Sequence, residues 1–363
     1  MSDAANGHSA PSPQGRVPWG SRRIAAVSTA AVLLLAALVA TVLLTMQRSN
    51  PPTASPTTTS ASPSETPTPT PTPETPPPPP PPTLPELPPG VLNVLVIGSD
   101  IRGNAREAAD RQAATGERAD HRADMLMLMH IPADRQRAYG ISIMRDTWVS
   151  IPGYGQSKVN ASLEIGGPPL VVETVGTLLN TRIDHYVMID FEGFKVLTDA
   201  LGGIDVDVAV PFTATHDTGH TFTPGINRLG GQAALEFVRE RYAFIDGDYQ
   251  RVRNQQAFVR GIMAHMLGTG KVMDPASAIG VIGAVAPYVT TEPGFDAMAM
   301  ATLAFGLRGI DPAASVFFTL PTAGTGFSAD GQSIVLPDYA GIAAVRDALA
   351  VDGMAAYAAA RGL

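Results

Sequence analysis

The chain has 363 residues, no cysteine and a formal net charge of −8. The lack of cysteine excludes disulfide bonds, thiolate catalysis and cysteine-ligated metals. The acidic balance does not favour binding to nucleic acid or to anionic lipid, so any phosphate site has to be a local cluster of cations.

Residues 24–47 form an apolar segment without a charged side chain. A helix of that length can cross the hydrocarbon layer of a bilayer, which is about 30 Å thick. Arginines at positions 16, 22 and 23 precede the segment and a single Arg48 follows it, so the positive-inside rule places residues 1–23 in the cytoplasm. A cleaved signal peptide is the alternative, but the segment is longer than a usual signal core. We predict a single-pass membrane protein with an extracytoplasmic C-terminal part.

A proline-rich segment, residues 48–90, follows the predicted span. Residues 51–90 contain 18 of the 33 prolines, mixed with threonine and serine. Because such a sequence cannot bury a core and samples extended polyproline II, we predict a disordered linker. The remaining residues, 91–363, are enough for one large domain outside the membrane.

The apolar pattern of residues 91–363 predicts strands interleaved with helices. Strands are predicted at 92–97, 125–131, 139–144, 186–189, 204–210, 316–320 and 333–336. Helices are predicted at 169–179, 191–201, 232–239, 248–267, 276–284, 295–307 and 340–349. This order predicts an α/β fold, a layered α-β-α domain with a central mixed sheet.

Two carboxylates adjoin the first two predicted strands. Asp100 directly follows the first strand, and the sequence Arg122-Ala123-Asp124 directly precedes the second. The carboxyl end of a buried strand is where α/β folds bind ligands, and a pair of carboxylates suits Mg²⁺ or Mn²⁺. Residues 118–120 repeat the Arg-Ala-Asp sequence, and we prefer Asp124 as the ligand because it adjoins the strand. An ordinary turn and a solvated loop are the alternatives.

Basic residues follow the third predicted strand. Arg145-Asp146 ends that strand, so Arg145 should lie at the same sheet edge as Asp100, and Lys158 comes after a glycine-rich turn. Arginine recognises phosphate oxygens bidentately, and lysine supplies a point charge. A phosphate site is one interpretation, and a surface ion pair between Arg145 and a nearby acid is the other.

A second basic cluster spans residues 239–255. Arg239 and Arg241 are two residues apart, so both can face one site only if the helix ends between them. Asp248 is predicted to be the N-cap of the next helix. Arg251 then lies in the first helical turn, where the helix dipole disfavours a cation, which indicates a bound anion nearby. A surface helix with ion pairs is the alternative. The helix face of this arginine also contains Asn254 and Gln255.

Three methionines alternate with leucines along the second predicted strand, at positions 125, 127 and 129. A buried core face is the simpler interpretation. A face rich in methionine can also line a slot for a long lipid, because the thioether side chain adapts to irregular apolar shapes.

Motifs spread over residues 91–270 resemble those of the LytR–CpsA–Psr family of cell-envelope proteins. As an ordered set they are specific, although no single motif is. The matching sequences are Leu95-Val96-Ile97-Gly98-Ser99-Asp100, Arg122-Ala123-Asp124, Ser142-Ile143-Met144-Arg145-Asp146-Thr147, Ile151-Pro152-Gly153, Lys158-Val159-Asn160-Ala161, Asp190-Phe191-Glu192-Gly193-Phe194, Leu201-Gly202-Gly203-Ile204-Asp205-Val206, Leu229-Gly230-Gly231-Gln232-Ala233-Ala234-Leu235, Arg239-Glu240-Arg241 and residues 248–256.

The resemblance implies transfer of a glycopolymer from a polyprenyl-pyrophosphate carrier to peptidoglycan, through a phosphodiester link. By matching positions, Asp100 and Asp124 would bind Mg²⁺, and Asp248 would orient the arginines or act as a base. The matching cations would bind the pyrophosphate and stabilise the charge that develops during phosphoryl transfer. This predicted set comprises Arg122, Arg145, Lys158, Arg239, Arg241 and Arg251, together with Gln255.

Two positions depart from the pattern that the resemblance implies. Met125 stands where the family usually has threonine, and Asn254 stands where it usually has arginine. Two other functions are compatible with the same residues: a polyprenyl-pyrophosphate phosphatase, and a non-catalytic module that binds a lipid-linked glycan. Residues 1–23 contain no recognisable nucleic-acid-binding element, so we predict no nucleic-acid partner.

Overall fold

The computed structural model describes residues 82–100, 111, 114–115, 122–270 and 272–363. The predicted cytoplasmic tail (1–23), the predicted membrane span (24–47), the linker up to residue 81 and the second Arg-Ala-Asp copy (118–120) lie outside these residues. Across the described ranges, no helix is both long and apolar enough to span a bilayer.

The described chain alternates strands and helices throughout. The strands are β1 (Leu92–Ser99), β2 (Ala123–Ile131), β3 (Tyr139–Ile143), β4 (Trp148–Ile151), β5 (Gly155–Lys158), β6 (His185–Ile189), β7 (Ile204–Val208), β8 (Phe212–Thr213), β9 (Thr221–Phe222), β10 (Gly225–Leu229), β11 (Thr290–Thr291), β12 (Val316–Thr319), β13 (Thr322–Phe327) and β14 (Ser333–Pro337). The helices are α1 (Ala161–Leu179), α2 (Phe191–Ala200), α3 (Gly231–Arg239), α4 (Asp248–Gly268), α5 (Pro275–Val285), α6 (Ala297–Gly306), α7 (Tyr339–Ala350) and α8 (Met354–Ala359), with a 3₁₀ turn at Ala286–Tyr288.

Six strands of the described chain form a mixed central sheet in the order β11-β6-β1-β2-β3-β12. Strand β1 pairs antiparallel with β2 and parallel with β6. Strand β3 pairs antiparallel with β2 and parallel with β12. The predicted mixed sheet is therefore confirmed, and its central strands are the ones whose ends contain the predicted site residues.

Helices cover both faces of the sheet. Side chains alternate between the two faces along each strand, so one strand contributes apolar side chains to both cores. On one face, Leu95 and Ile97 of β1 belong to a core that includes residues of α1, α7 and α8. On the other face, Val94 packs in a cluster that reaches Met263 of α4 and Leu303 of α6. The α-β-α layering predicted from the sequence is confirmed.

The observed elements extend or add to the predicted ones. The helix predicted at 169–179 is the second part of α1, which begins at Ala161 and is broken at Gly166 and Gly167, where φ of Gly167 is +68°. The strand predicted at 333–336 is confirmed as β14, whereas β4, β5, β8, β9, β10, β11 and β13 were not predicted. Their sequences are short, polar or rich in glycine, so they lack the apolar alternation that indicates a strand.

The end of the predicted linker contacts the domain. The Arg135 side chain donates a hydrogen bond of 2.6 Å to the carbonyl oxygen of Pro88. The Leu87 side chain lies directly against Gly306, where a Cβ atom would meet it at 2.3 Å. Packing therefore begins shortly before residue 91, the predicted start of the domain.

Gly261 allows α4 to approach β7 closely. A Cβ atom there would lie 2.7 Å from the carbonyl oxygen of Asp205 and 2.9 Å from the Ile204 side chain. Gly268, at the end of the same helix, has no atom within 4 Å of its Cβ position. The two glycines thus form a matched pair in one helix, one packed and one open.

We expect Gly261→Ala to lower the free energy of unfolding by about 1–3 kcal/mol, because the added methyl group forces the helix away from β7. Gly268→Ala should be neutral or slightly stabilising, since alanine has the higher helix propensity. Urea unfolding of the purified protein and both variants measures this difference. Equal stability of the two variants would contradict the close packing of α4.

Candidate active site

A β-bulge positions Asp124 at the end of the sheet. Gly98 pairs with Met125 and Ser99 pairs with Ala123, so Asp124 is the extra residue between them. A bulge redirects the side chain of the extra residue, and bulges are common beside active sites. A Cβ atom on Gly98 would lie 3.0 Å from the Cβ of Met125, so glycine permits this close pairing.

Arg145 lies just beyond the end of β3 and connects the acidic residues of the site. Its Nη1 atom is 2.5 Å from Oδ1 of Asp124. Its Nε atom is 3.6 Å from carboxylate oxygens of both Asp146 and Asp248. The side chain is 18% exposed, so these contacts are only partly screened by water.

Asp248 is not the N-cap of α4, contrary to the prediction. Gly247 occupies the cap position with φ of +49°, and Asp248 is the first helical residue. Its carboxylate is instead 3.3 Å from Arg251 and 3.6 Å from Arg145, with Arg241 at 3.7 Å. The prediction was wrong because an acid at a helix start can interact with side chains of other segments as well as with its own backbone.

Arg239, the last residue of α3, and Arg241 face one site. The sequence analysis predicted that this is possible only if the helix ends between them. The helix ends at Arg239, and Glu240 has extended backbone angles of φ −62° and ψ 133°. Arg239 lies over the ring of Phe191 at 4.4 Å and contacts Asp217 at 3.1 Å. The change from helix to extended chain lets Arg241 turn to the same side as Arg239.

The arginines line a polar cavity of about 340 Å³. Asp124 and Gln255 line it as well, together with Thr215 and His216 of the segment between β8 and β9. Its volume suits a compact anion such as a pyrophosphate group with some water. The arginines of the described residues that line it are Arg145, Arg239, Arg241 and Arg251.

The electrostatics of this cavity favour an anion. Burial lowers the pKa of the Arg251 guanidinium, and the neighbouring Arg145 lowers it further. Burial opposes the charged form of Arg145 too, but the carboxylates of Asp124 and Asp248 outweigh that effect and raise its pKa. Nε of Arg145 and of Arg251, and Oδ1 of Asp248, are buried without a hydrogen-bond partner among the described residues. Buried polar atoms without partners are rare and are typical of sites that bind a ligand.

An apolar chamber of about 210 Å³ adjoins the polar cavity. It lies between the β1–β2–β6 face of the sheet and helices α2, α3 and α4, and its walls include Val187, Phe194 and Phe258. The chamber and the polar cavity share four lining residues, so the two are direct neighbours. The shared residues are Asp124, Val238, Arg239 and Gln255.

The methionine face of β2 divides between core and chamber. Met127 is fully buried, and Met129 packs against a core cluster. Met125 lines the apolar chamber beside Asp124. The core interpretation is therefore confirmed for Met127 and Met129, and the lipid slot beside Met125 stays a prediction.

Asp100, Arg122 and Lys158 lie outside the polar cavity. Asp100 follows β1, where its Oδ1 accepts the backbone N–H of Arg122 at 2.6 Å. Lys158 contacts Asp146 at 3.2 Å, and both basic side chains line a neighbouring surface cavity. The sequence analysis placed all the predicted cations in one phosphate site. In the structure Arg122 and Lys158 line a different cavity from the four arginines of the polar cavity.

The three residues predicted to share one face of α4 have different surroundings. Arg251 and Gln255 line the polar cavity. Asn254 is buried against α3, where its amide donates to the carbonyl oxygen of Phe237 at 3.2 Å. This departure from the family pattern thus supports the contact between α3 and α4. Arg253 lies outside the polar cavity and is half exposed beside Asp246.

Asp100 and Asp124 have the chemistry of a magnesium site. Both supply carboxylate oxygens at neighbouring strand ends, and Mg²⁺ commonly binds one or two carboxylates plus waters and substrate phosphates. The Oδ1 atom of Asp124 contacts Arg145, and that of Asp100 accepts a backbone N–H. In the described ranges no group of three or more His, Cys, Asp or Glu side chains could hold a metal ion. Binding of Mg²⁺ by Asp100 and Asp124 stays a prediction.

Two buried glutamates fix the walls of the polar cavity, and the sequence analysis missed them. Glu236 accepts hydrogen bonds from Thr218, His220 and Gln232. These bonds outweigh the opposing effect of burial and lower the pKa of Glu236 to about 2. The signal for Glu236 in the sequence is its spacing of four residues from Gln232, which places both on one face of α3. Glu240 directly follows the end of that helix.

Glu240 fixes the segment that contains Arg241. Its carboxylate accepts the backbone N–H groups of Arg241, Tyr242 and Ala243 at 2.7–3.1 Å. It also accepts the backbone and hydroxyl groups of Thr215. Burial would raise its pKa, but these hydrogen bonds lower it. Glu240 therefore fixes two walls of the cavity relative to each other.

A sequence profile of the LytR_cpsA_psr family matches residues 74–350. The chain belongs to this family. The match covers the whole central sheet and both cavities.

Relatives from other bacteria agree with this membership. A probable cell wall biosynthesis protein, LcpB of Corynebacterium glutamicum, is 32% identical over 60% of this chain and 52% of LcpB. TagU of Enterococcus faecalis, a polyisoprenyl-teichoic acid–peptidoglycan teichoic acid transferase, is 33% identical over 66% of this chain and 73% of TagU. The chain thus matches about half the length of LcpB.

Solved structures of the LytR_cpsA_psr family share the fold. The crystal structure of B. subtilis TagV superposes with a TM-score of 0.61 at 24% sequence identity. The superposition covers 72% of this chain and 97% of TagV. The similarity shows that the layered sheet described above is the fold of the family.

Glu236→Gln tests the role of the buried glutamate. The pKa is lowered from 4.5 to about 2 on folding, so the charge contributes stability above pH 4.5 that is lost as the pH falls toward 2. We expect the variant to be less stable than the wild type at pH 7, with a difference that shrinks between pH 4.5 and 2. Urea unfolding across this pH range measures it. Glu173→Gln, which changes an exposed glutamate of α1, should show no such dependence.

Proposed function

We propose that this protein transfers a glycopolymer from a polyprenyl-pyrophosphate carrier to peptidoglycan and leaves a phosphodiester link. The observation that supports it most directly is the junction between the two cavities. At Asp124, Arg239 and Gln255 the apolar chamber adjoins a polar cavity lined by arginines. A lipid pyrophosphate has its parts in the same order, an apolar chain followed by a compact anion.

The printed names of the relatives support the same activity. TagU of Enterococcus faecalis is named as a transferase that moves teichoic acid from a polyisoprenyl carrier to peptidoglycan. LcpB of Corynebacterium glutamicum is named for cell wall biosynthesis. We extend from these relatives the class of reaction only, and the polymer stays unspecified.

In the proposed reaction an acceptor hydroxyl oxygen attacks the phosphorus atom bonded to the glycan. A new P–O bond forms, the P–O bond to the bridging oxygen breaks, and the carrier leaves as polyprenyl monophosphate. The hydroxyl proton passes to a base or to water. Arg145, Arg239 and Arg251 would stabilise the negative charge on the phosphoryl oxygens, which is the main protein contribution to reactions of this kind.

Asp248 would act mainly by orienting the arginines. Its carboxylate lies within 3.3–3.7 Å of Arg145, Arg241 and Arg251. Three guanidinium groups held so close together repel one another, and a shared carboxylate offsets that repulsion. These contacts favour the orienting role over the role of a base.

Asp100 and Asp124 would hold Mg²⁺ against the substrate phosphates. When bound, the ion would supply positive charge to the pyrophosphate. Asp124 would also have a role that needs no metal. Its contact with Arg145 fixes the guanidinium group of that residue at the boundary between the two cavities.

The proposed location follows from the N-terminal sequence. Residues 24–47 would cross the membrane with residues 1–23 in the cytoplasm, and residues 48–90 would place the domain outside. A peptidoglycan acceptor lies on that side of the membrane, so the location and the reaction agree.

The proposed reaction can be tested with the purified protein, Mg²⁺ and a short-chain polyprenyl-pyrophosphoryl oligosaccharide, with and without a peptidoglycan fragment. We expect polyprenyl monophosphate to appear only with the acceptor, whose mass should rise by the glycan phosphate. Monophosphate without a mass gain would indicate a phosphatase. Binding of the donor without any turnover would indicate the non-catalytic module.

Arg251→Ala should lower kcat/KM about 10²–10³-fold, the loss typical of one removed group that stabilises transition-state charge. Arg253→Ala is the matched control, because it lies two residues away on the same helix and outside the cavity. Its kcat/KM should match that of the wild type in the same assay. Similar losses in both variants would argue against the placement of the site.

The apolar chamber can be narrowed by Val259→Phe on α4, since Val259 lines its wall. We expect KM for a long-chain donor to rise about tenfold, as expected for a loss of about 1.4 kcal/mol of binding. KM for a donor with a very short prenyl chain should not change, which provides an internal control for folding. An equal effect on both donors would contradict binding of the lipid in the chamber.

A further inference from the structure

A polar surface cavity of about 360 Å³ lies beside the arginine cluster, and the proposed reaction assigns it no ligand. It is formed by the β4–β5 hairpin, the start of α1 and the β13–β14 connection. Polar side chains supply most of its lining, among them Arg122, Gln156, Lys158, Asn160 and Gln332.

Asn160 is the most informative residue of this cavity. It is 4% exposed. It occupies the N-cap position of α1 but makes no capping hydrogen bond. Since Asn160 lines the cavity, its amide is positioned to bond a ligand there.

Tyr154 adds an exposed aromatic ring to the same cavity. The residue is at the tip of the β4–β5 hairpin and is 58% exposed. Gly153 and Gly155 on either side have φ of +76° and +85°, a conformation that favours glycine and fixes the tight turn. The ring therefore stands at the cavity rim with its faces available.

An exposed aromatic ring beside amide groups suits a sugar. One face of a pyranose ring is made of C–H groups that pack on an aromatic ring, and its hydroxyl and acetamido groups pair with amides and charged side chains. Aromatic rings with a polar tip are common where a surface is partly apolar and partly wet. The cavity volume accommodates about one sugar residue.

The cavity is connected directly to the arginine cluster. The backbone N–H of Asn160 donates to the carbonyl oxygen of Arg145 at 3.1 Å. Asp146 contacts both Lys158 and Arg145, at 3.2 and 3.6 Å. A sugar bound beside Asn160 would therefore lie next to the residues that bind the phosphoryl group.

We infer that this cavity is a saccharide subsite that positions a sugar of one of the two glycans for phosphoryl transfer. The inference rests on the proposed function, which places a glycan on both sides of the reacting phosphorus. The two sources of the sugar are the donor oligosaccharide and the peptidoglycan acceptor, and both have the same recognition chemistry.

Tyr154→Ala tests the subsite, with Tyr339→Ala as the matched control. Tyr339 is 59% exposed at the start of α7 and lies outside the cavity. We expect Tyr154→Ala to raise KM for one glycan substrate about tenfold, as expected for the loss of one contact, while kcat stays unchanged. The control variant should match the wild type.

The two KM values identify the source of the sugar. A rise in KM for the peptidoglycan fragment alone would assign the subsite to the acceptor. A rise for the polyprenyl-pyrophosphoryl oligosaccharide alone would assign it to the donor. Unchanged KM values for both substrates would overturn the subsite.

A direct measurement of sugar binding tests the subsite independently of the proposed transfer reaction. Calorimetry with the peptidoglycan fragment and with the donor oligosaccharide lacking its lipid requires no turnover. Binding of either sugar that weakens about tenfold in Asn160→Asp and Tyr154→Ala supports the subsite even if transfer is absent. Should Asn160→Asp fail to fold, the exposed Tyr154 still provides the test. Binding that neither variant weakens would overturn the subsite even if transfer is confirmed.

Discussion

The shared carboxylates of Asp124 and Asp248 are the constraint on which the site depends. Arg145 contacts both, at 2.5 and 3.6 Å, and Arg251 contacts Asp248 at 3.3 Å. Guanidinium groups this close together repel one another strongly when they are partly buried. Asp124 and Asp248 reduce this repulsion at the centre of the cluster, while Asp146 contacts Arg145 and Asp217 contacts Arg239.

The position of this charged cluster follows from the sheet. A bulge in β2 turns Asp124 toward the cavity, and the residue after it, Met125, lines the apolar chamber. Because side chains alternate along a strand, a single strand supplies core, chamber wall and anion site within a few residues. The fold thus places an apolar cavity and a polar cavity lined by arginines side by side.

Buried glutamates give the cationic walls their rigidity. Glu236 of α3 and Glu240, which directly follows the helix, bind backbone groups of two neighbouring segments. A carboxylate that accepts several N–H groups stays ionised, since the hydrogen bonds stabilise its charged form. The arginines at the end of α3 are therefore fixed by acids that do not themselves line the cavity.

The sequence by itself determined the layered α/β fold, the central strands and the identity of most cavity residues. These follow from apolar periodicity and from the end of α3 between Arg239 and Arg241, which are local properties. Only the tertiary structure decided that Arg122 and Lys158 belong to a neighbouring cavity, that Asp248 contacts arginines instead of capping α4, and that Glu236 and Glu240 fix the walls. Contacts between segments distant in the chain set these roles, and no local pattern encodes which partner a charged side chain meets.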